Sequence, residues 1–161
     1  LFEGGVVTAG NASGINDGAA ALIVGSKAAG EKYGVKPRAR IIAGAAAGVE
    51  PRVMGLGPVF AIRKALARAG LGLEDMDIIE INEAFATQVL GCLKLLEVDF
   101  QDSRVNPNGG AIAVGHPLGA SGARIALTTL RQMERSGARY AAVSLCIGIG
   151  QGLAAIIERL D

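Results

Sequence analysis

An imidazole and a thiol in this sequence stand in glycine-rich segments where they could take part in acid–base chemistry. His116 is the only histidine of the chain. The glycine before it and the proline after it would hold the ring on a constrained turn, and an imidazole that titrates near neutral pH suits a general base. A lone histidine is as often structural, so catalysis and packing are both open interpretations of His116.

The thiol with chemical potential is Cys146, which begins the segment CIGIGQG. The glycines that follow leave backbone N–H groups unobstructed by side chains, and such groups could stabilise an oxyanion. The same glycines could mark a tight connection and nothing more. A dinucleotide-binding site is a poorer interpretation, because the run leads into a predicted strand instead of a helix.

A third polar side chain, Asn82, opens the segment NEAFA just before a predicted helix. An asparagine in this position most often caps the helix, because its side chain satisfies a free backbone N–H group. A catalytic role is the less frequent alternative.

The elements that must position these side chains alternate between strands and helices. Short apolar runs predict strands, and apolar residues at helical spacing predict helices. We predict strands over 17–24, 38–47, 77–81, 139–145 and 153–158, and helices over 26–33, 58–69, 83–96 and 121–135. The alternation indicates an α/β domain, and the final strand pair without a helix between its members makes the sheet mixed. The three reactive loops should meet at one edge of that sheet.

Two of the predicted helices have apolar faces that should pack inward. In the last helix these residues are Ala123, Leu127, Leu130 and Met133. In the helix over 83–96 they are Phe85, Val89, Cys92, Leu93 and Leu96. Packing alone therefore explains the second cysteine, Cys92, since a buried thiol behaves as a small hydrophobe.

Composition excludes several classes of protein. Sixteen basic and fifteen acidic residues leave a net charge of +1. No stretch of the sequence gathers Lys and Arg into a patch that would bind a nucleic acid backbone or an anionic membrane. The apolar runs are too short to span a bilayer, and the start is no signal peptide, so we expect a cytoplasmic protein. The two cysteines lack metal-ligand spacing, which predicts no metal site and no disulfide. Leu1 suggests a piece of a longer chain.

Four segments, taken in order, resemble the motifs of thiolases. They are VTAGNASGINDGAAA, NEAFA, NPNGGAIAVGHPLGASGAR and CIGIGQG, and the resemblance covers essentially the whole chain. It implies the carboxy-terminal half of the thiolase fold, a layered mixed sheet with helices on both faces. Residues 1–37 would end the preceding region, including its last strand, and residues 38–161 would form the carboxy-terminal domain.

The resemblance also implies catalytic roles for four residues. His116 would activate a nucleophilic cysteine, and Asn82 would hold a water molecule beside it in an oxyanion hole. Cys146 would move a proton at the substrate's α-carbon, and the Gly148 N–H group would contribute to a second oxyanion hole. These roles suit a Claisen step, which needs a base near the α-carbon and donors to developing oxyanions, and a thiol serves best there if its pKa is lowered.

Four further positions match residues that contact substrate in thiolases: Ala9, Ser13, Met54 and Phe85. The implied partners are acyl-CoA thioesters, which are substrates, so no cofactor is expected. The full-length protein would be an acetyl-CoA acetyltransferase or 3-ketoacyl-CoA thiolase of fatty acid metabolism, and a homodimer or homotetramer.

The nucleophilic cysteine of the family, in a motif of the type N-x-x-C-x-S-G, is absent from these 161 residues. Cys92 does not match it. We therefore expect the full-length protein to be an acyltransferase and the 161-residue chain to be inactive alone. The alternative is a noncatalytic thiolase-like module that binds coenzyme A or another subunit. A ketoacyl synthase fits less well, because those enzymes typically use two histidines.

Overall fold

The computed structural model describes residues 4–160. Leu1, which suggested a piece of a longer chain, lies outside the described residues. No helix within residues 4–160 combines the length and the apolar character needed to cross a membrane.

Four strands and five helices form the scaffold of the described residues. The strands are β1 (Ala39–Gly48), β2 (Ile78–Ile81), β3 (Tyr140–Ile147) and β4 (Gln151–Arg159). The helices are α1 (Lys27–Tyr33), α2 (Gly57–Ala69), α3 (Ala86–Leu96), α4 (Ala111–Val114) and α5 (Leu118–Ser136), with 3-10 turns at Ala9–Asn11 and Pro51–Leu56.

The strands form one mixed sheet in the order β1-β4-β3-β2. β4 runs antiparallel to both β1 and β3, whereas β2 runs parallel to β3. A tight turn joins β3 to β4, and both Ile149 (φ 68°) and Gly150 (φ 87°) adopt left-handed backbone there. The prediction of a mixed sheet is therefore confirmed.

Helices cover both faces of the sheet, as predicted. On one face, α2 and α3 pack through Ile62 and Cys92 against Ile79 and Ile156. On the other face, α5 packs through Ile125 and Met133 against the alternate strand residues, which include Ile78, Ala141 and Ile157. Successive strand side chains point to opposite faces, so each strand contributes to both cores.

The helix ends follow local sequence signals. Ser26 caps α1, its hydroxyl accepting a hydrogen bond from the Ala29 N–H group. Pro58 stands in the first turn of α2, where its missing N–H group costs nothing. Gly70 and Gly137 end α2 and α5 in left-handed backbone, which glycine adopts without steric cost.

The predicted strand over residues 17–24 is wrong. This segment is irregular, and Leu22, Ile23 and Val24 are exposed, Ile23 to 94%. Its composition suits a buried strand, but a strand forms only where another strand satisfies its backbone groups. No strand among residues 4–160 pairs with this segment.

The predicted inner face of the last helix is also partly wrong. Met133 is buried, but the rest of the face against the sheet consists of Ser121, Ile125 and Thr129. Ala123, Leu127 and Leu130 are only half-buried. Helical spacing identifies two candidate faces here, and contact with the sheet selects the face that includes two hydroxyl side chains.

Candidate active site

The candidate site lies at the edge of the sheet where three strands end. β1, β2 and β3 run in the same direction, because β1 and β3 are both antiparallel to β4 and β2 is parallel to β3. Asn82 follows β2, and Cys146 is the last but one residue of β3. Met54 follows β1 in the 3-10 turn. The loops expected to meet at this edge are those of Asn82, His116 and Cys146. Asn82 and Cys146 follow or end strands as expected, whereas His116 lies between α4 and α5 and reaches this edge through its contact with Asn82.

His116 sits on the short connection between α4 and α5, held at its backbone and at both ring nitrogens. Its backbone N–H group donates to the Gly14 carbonyl oxygen at 2.9 Å. The preceding Gly115 has φ 91°, and a side chain there would collide with Asn16. The glycine is therefore required for the turn that presents the imidazole.

Ser121 determines the protonation pattern of this imidazole. His116 Nδ1 lies 2.6 Å from Ser121 Oγ, and Ser121 Oγ donates its single hydrogen to the Pro117 carbonyl oxygen at 3.1 Å. With this hydrogen given to Pro117, we infer that the hydroxyl oxygen accepts from Nδ1–H. Nε2 keeps its lone pair and faces Asn82 Nδ2 at 3.3 Å. This arrangement presents His116 as a base through Nε2.

Two effects lower the pKa of His116 below the usual histidine value. The larger is partial burial, which disfavours the charged ring, and the second is the positive charge of Arg124 on α5. Both effects favour the neutral imidazole near neutral pH, which is the form a general base requires.

Asn82 does not cap the following helix. The cap position of α3 is Phe85, three residues later. Asn82 is instead buried, its backbone N–H group donates to the Ser144 carbonyl oxygen at 2.9 Å, and its side-chain amide contacts His116. Its Oδ1 has no hydrogen-bond partner among the described residues.

A clamp formed by Asn106 and Glu83 connects the loop after β2 with the loop that leads to His116. Asn106 Oδ1 accepts from Ile81 N at 2.9 Å, and its Nδ2 donates to both Ile81 O and Glu83 Oε1 at 3.0 Å. Glu83 Oε2 accepts from Ile112 N at 3.2 Å. Sequence reasoning missed both residues, although an asparagine before Pro-Asn-Gly-Gly was a signal of a tight, specific turn.

The Cys146 thiol is half-buried, and burial raises its pKa above the usual cysteine value. The thiol is therefore protonated near neutral pH, which differs from the lowered pKa that would best suit its expected role. A protonated thiol is able to donate a proton to a developing carbanion.

The turn after Cys146 combines open and crowded glycine positions. Gly148 is exposed, and a side chain there would meet no atom within 4 Å. A side chain at Gly150 would collide with the Val49 carbonyl oxygen, and one at Gly152 would collide with the Gly57 backbone. Gly150 and Gly152 therefore let the turn pack closely against neighbouring backbone, whereas Gly148 borders open space.

Three of the four predicted substrate-contacting residues lie at or beside the site. Ser13 donates from both N and Oγ to the Ala84 carbonyl oxygen, at 3.0 and 3.2 Å, and Ala12 forms a bridge with Phe85. Met54 is half-buried near the end of β1. Ala9 is exposed in the first 3-10 turn, and no contact of its side chain ties it to His116.

Cys92 is explained by packing, as predicted. It is fully buried on α3, and its Sγ donates to the Gly55 carbonyl oxygen at 3.2 Å. Burial raises its pKa to about 11, so the thiol stays protonated and unreactive.

The fold and the candidate site can now be compared with known protein families. The family model for the thiolase carboxy-terminal domain matches residues 35–159. The chain belongs to the thiolase family.

Particular relatives sharpen this result. The chain is 60% identical over 156 residues to the 3-oxoadipyl-CoA/3-oxo-5,6-dehydrosuberyl-CoA thiolase of Escherichia coli K12, covering 97% of this chain and 39% of that protein. It superimposes on the Bacillus anthracis acetyl-CoA acetyltransferase with a TM-score of 0.92 at 47% identity, covering 96% of this chain and 39% of that one. For the human mitochondrial 3-ketoacyl-CoA thiolase in complex with CoA, the TM-score is 0.87 at 45% identity, with the same coverage. The chain thus spans about two fifths of the length of these relatives.

Proposed function

We propose that the full-length protein carrying this chain is a thiolase that cleaves 3-oxoacyl-CoA thioesters with coenzyme A. The observation that carries the proposal is the His116 arrangement, in which Ser121 holds Nδ1 and leaves the Nε2 lone pair beside Asn82 at the sheet edge. The name of the Escherichia coli relative, a 3-oxoadipyl-CoA thiolase, supports the substrate class. Family membership supports the acyl transfer.

In the proposed first half-reaction, His116 Nε2 takes the proton of a nucleophilic cysteine from the amino-terminal region. The sulfur bonds to the 3-oxo carbon, and the bond between that carbon and the α-carbon breaks. Cys146 gives its proton to the acetyl-CoA enolate that leaves. Burial raises the pKa of Cys146, so the thiol has a proton to give in this step.

In the second half-reaction, the thiolate of coenzyme A attacks the acyl-enzyme and releases the shortened acyl-CoA. The proton of coenzyme A and the proton held on His116 return the two cysteine thiolates to thiols. His116 with Asn82, and the Gly148 N–H group, supply the hydrogen bonds that stabilise oxyanions in these steps. Ala9, Ser13, Met54 and Phe85 line the path of the acyl-CoA.

The test is a steady-state assay of the full-length protein, which follows coenzyme A-dependent loss of 3-oxoadipyl-CoA and of acetoacetyl-CoA. We expect turnover, with His116→Ala and Cys146→Ser each lowering kcat/KM by roughly a hundredfold or more. Cys92→Ala is the matched thiol control and should retain most of the activity. Wild-type turnover that survives His116→Ala would contradict the proposal.

The same preparations address the remaining expectations. Coenzyme A binding without turnover would support a noncatalytic module instead. We also propose a homo-oligomeric assembly of the full-length protein, which light scattering coupled to gel filtration would measure. The cytoplasmic location expected from the sequence stays a prediction.

A further inference from the structure

Behind the imidazole, buried polar atoms without hydrogen-bond partners gather between β2 and α5. They are Glu80 Oε1, Asn82 Oδ1, and Nε and Nη2 of Arg124. Strand alternation directs Glu80 and Asn82 to the same side as Ile78, which packs against Ile125 of α5. Arg124 is the neighbour of Ile125 on that helix, so all three polar side chains belong to the layer between this strand and this helix.

These orphaned atoms require partners. Glu80 is only 2% exposed, and a buried polar atom left unpaired costs about 1–3 kcal/mol. A carboxyl group and a guanidinium group share this layer, and neither Glu80 Oε1 nor Nε and Nη2 of Arg124 have a hydrogen-bond partner among the described protein atoms. Ordered water is the usual partner of such groups in a polar interior.

The electrostatic couplings of this layer converge on Arg124. Its charge lowers the pKa of His116, and it also opposes the rise in the pKa of Glu80. Burial nevertheless raises the pKa of Glu80 to about 7, with the charge of Glu83 acting in the same direction. Arg124 therefore acts on the imidazole and on the buried carboxyl group together.

Other charged and titratable groups lie on the elements packed around His116. The loop after β2 contributes Glu83, whose carboxylate oxygens are held by Asn106 and Ile112 N. The segment whose Gly14 carbonyl oxygen accepts from the His116 backbone contributes Asp17, which is exposed. β3 contributes the Cys146 thiol at the same sheet edge. Arg124 on α5 is the cation of this set.

We propose that Glu80 and Arg124 are positioning residues for His116, forming a buried, water-bridged pair that anchors the Asn82 amide and sets the charge behind the imidazole. Neither residue needs to touch substrate. The pair acts through Asn82 on one side and through the guanidinium charge on the other. Only the kinetic part of this inference rests on the proposed thiolase function.

The decisive measurement is an NMR titration of His116 in the 161-residue chain, where it is the only histidine and its ring signals are unambiguous. Arg124→Gln should raise the midpoint by roughly 0.5 pH unit, as loss of a charge several ångströms away predicts. Arg124→Lys should restore most of the wild-type value. Arg131→Gln is the control, because Arg131 lies on the exposed side of the same helix and pairs with Glu134.

Glu80→Gln tests the other half of the pair with an isosteric side chain. Glu80, with a pKa of about 7, is mostly neutral where His116 titrates, so Glu80→Gln should leave the His116 midpoint close to the wild-type value. Backbone NMR spectra would establish that each variant is folded. An unchanged midpoint in Arg124→Gln, or a shift in Glu80→Gln as large as the one expected for Arg124→Gln, would overturn the inference.

A pH profile of the full-length enzyme provides the functional counterpart. Arg124→Gln should shift the acidic limb of kcat/KM to higher pH by the same amount as the NMR midpoint, because that limb reports the essential base of the free enzyme. An acidic limb that does not move, although the NMR midpoint does, would refute a positioning role. Complete lack of turnover in the wild type would refute the proposed function and leave the NMR result standing.

Discussion

At the scale of single residues, the site depends on how its polar atoms are paired. Ser121 Oγ accepts a hydrogen bond from Nδ1–H of His116 and donates one to the Pro117 carbonyl oxygen. This fixes one neutral tautomer, with the lone pair at Nε2. A histidine whose tautomer is fixed in this way is prepared for proton abstraction before substrate arrives.

Ser121→Ala removes the acceptor for Nδ1–H and should release the tautomer. We expect the Nδ1–H fraction, measured from ring ¹⁵N shifts, to fall, and kcat/KM of the full-length protein to fall by roughly tenfold, as loss of about one hydrogen bond implies. Ser136→Ala is the matched control, because its hydroxyl contacts only Gln132 O and Ala138 N in the same region of the chain. A wild-type tautomer ratio in Ser121→Ala would argue against this role.

The buried carboxyl group of Glu80 makes stability depend on pH. Burial raises its pKa to about 7 in the folded state, above the unfolded value. The stability that the neutral form confers is present below the unfolded pKa and is lost as pH rises through 7. Glu80→Gln stays neutral throughout, so its free energy of unfolding relative to wild type should increase between pH 5 and pH 8 by about 1–3 kcal/mol. Urea titrations at both pH values measure this, and a pH-independent difference would contradict it.

At the scale of elements, the site is assembled by contacts between loops. The Asn106–Glu83 clamp joins the loop after β2 to the backbone before His116. Asn106 has φ 43°, an uncommon conformation that asparagine tolerates better than most residues. Helix α5 places Ser121 and Arg124 one turn apart, so the same helix supplies both a hydrogen bond to the imidazole and a charge that acts on it.

Asn106→Ala should destabilise the fold by about 2–3 kcal/mol, because it removes the three hydrogen bonds that Asn106 makes with Ile81 N, Ile81 O and Glu83 Oε1. Asn106→Gly tolerates the positive φ and separates loss of the side chain from backbone strain. Asn108→Ala, which removes an exposed contact with Arg135, is the control and should change stability little. Thermal unfolding compares the three, and equal melting temperatures for Asn106→Ala and Asn108→Ala would refute the clamp.

At the scale of the whole molecule, the chain spans 39% of the length of its relatives and contains one part of the proposed catalytic apparatus. The base, its supporting side chains and the second thiol are present, whereas the N-x-x-C-x-S-G motif is absent from the sequence. The exposed apolar side chains of Ile15, Leu22 and Ile23 lie in and beside the segment that failed to form a strand.

The 161-residue chain should form no acyl-enzyme with acetyl-CoA. Cys92 is buried with a pKa of about 11, and Cys146 is assigned to proton transfer, so neither is a suitable nucleophile. Intact-protein mass spectrometry after incubation with acetyl-CoA should show the unmodified mass. The full-length protein, treated in parallel, should gain one acetyl group. A stable acetyl adduct on Cys146 of the short chain would contradict the assignment of roles.

The sequence alone determined the class of fold, the family and the order of the reactive loops. Most predicted boundaries of strands and helices agree with the structure within a few residues. Local signals such as Ser26, Pro58, Gly70 and Gly137 set them, because these signals act within one helical turn. The roles proposed for His116 and Cys146 depend on motifs that are contiguous in sequence, so the sequence is sufficient to suggest them.

Only the tertiary structure decided what depends on residues distant in sequence. It placed Asn82 beside His116 instead of at a helix cap, and it brought Glu80 and Arg124 into one buried layer. It also left residues 17–24 without a strand partner and turned a hydroxyl-bearing face of α5 toward the sheet. Apolar content and periodicity describe what a segment is able to bury, but the partner that buries it, and the polar atoms that then need partners, are set by long-range contacts.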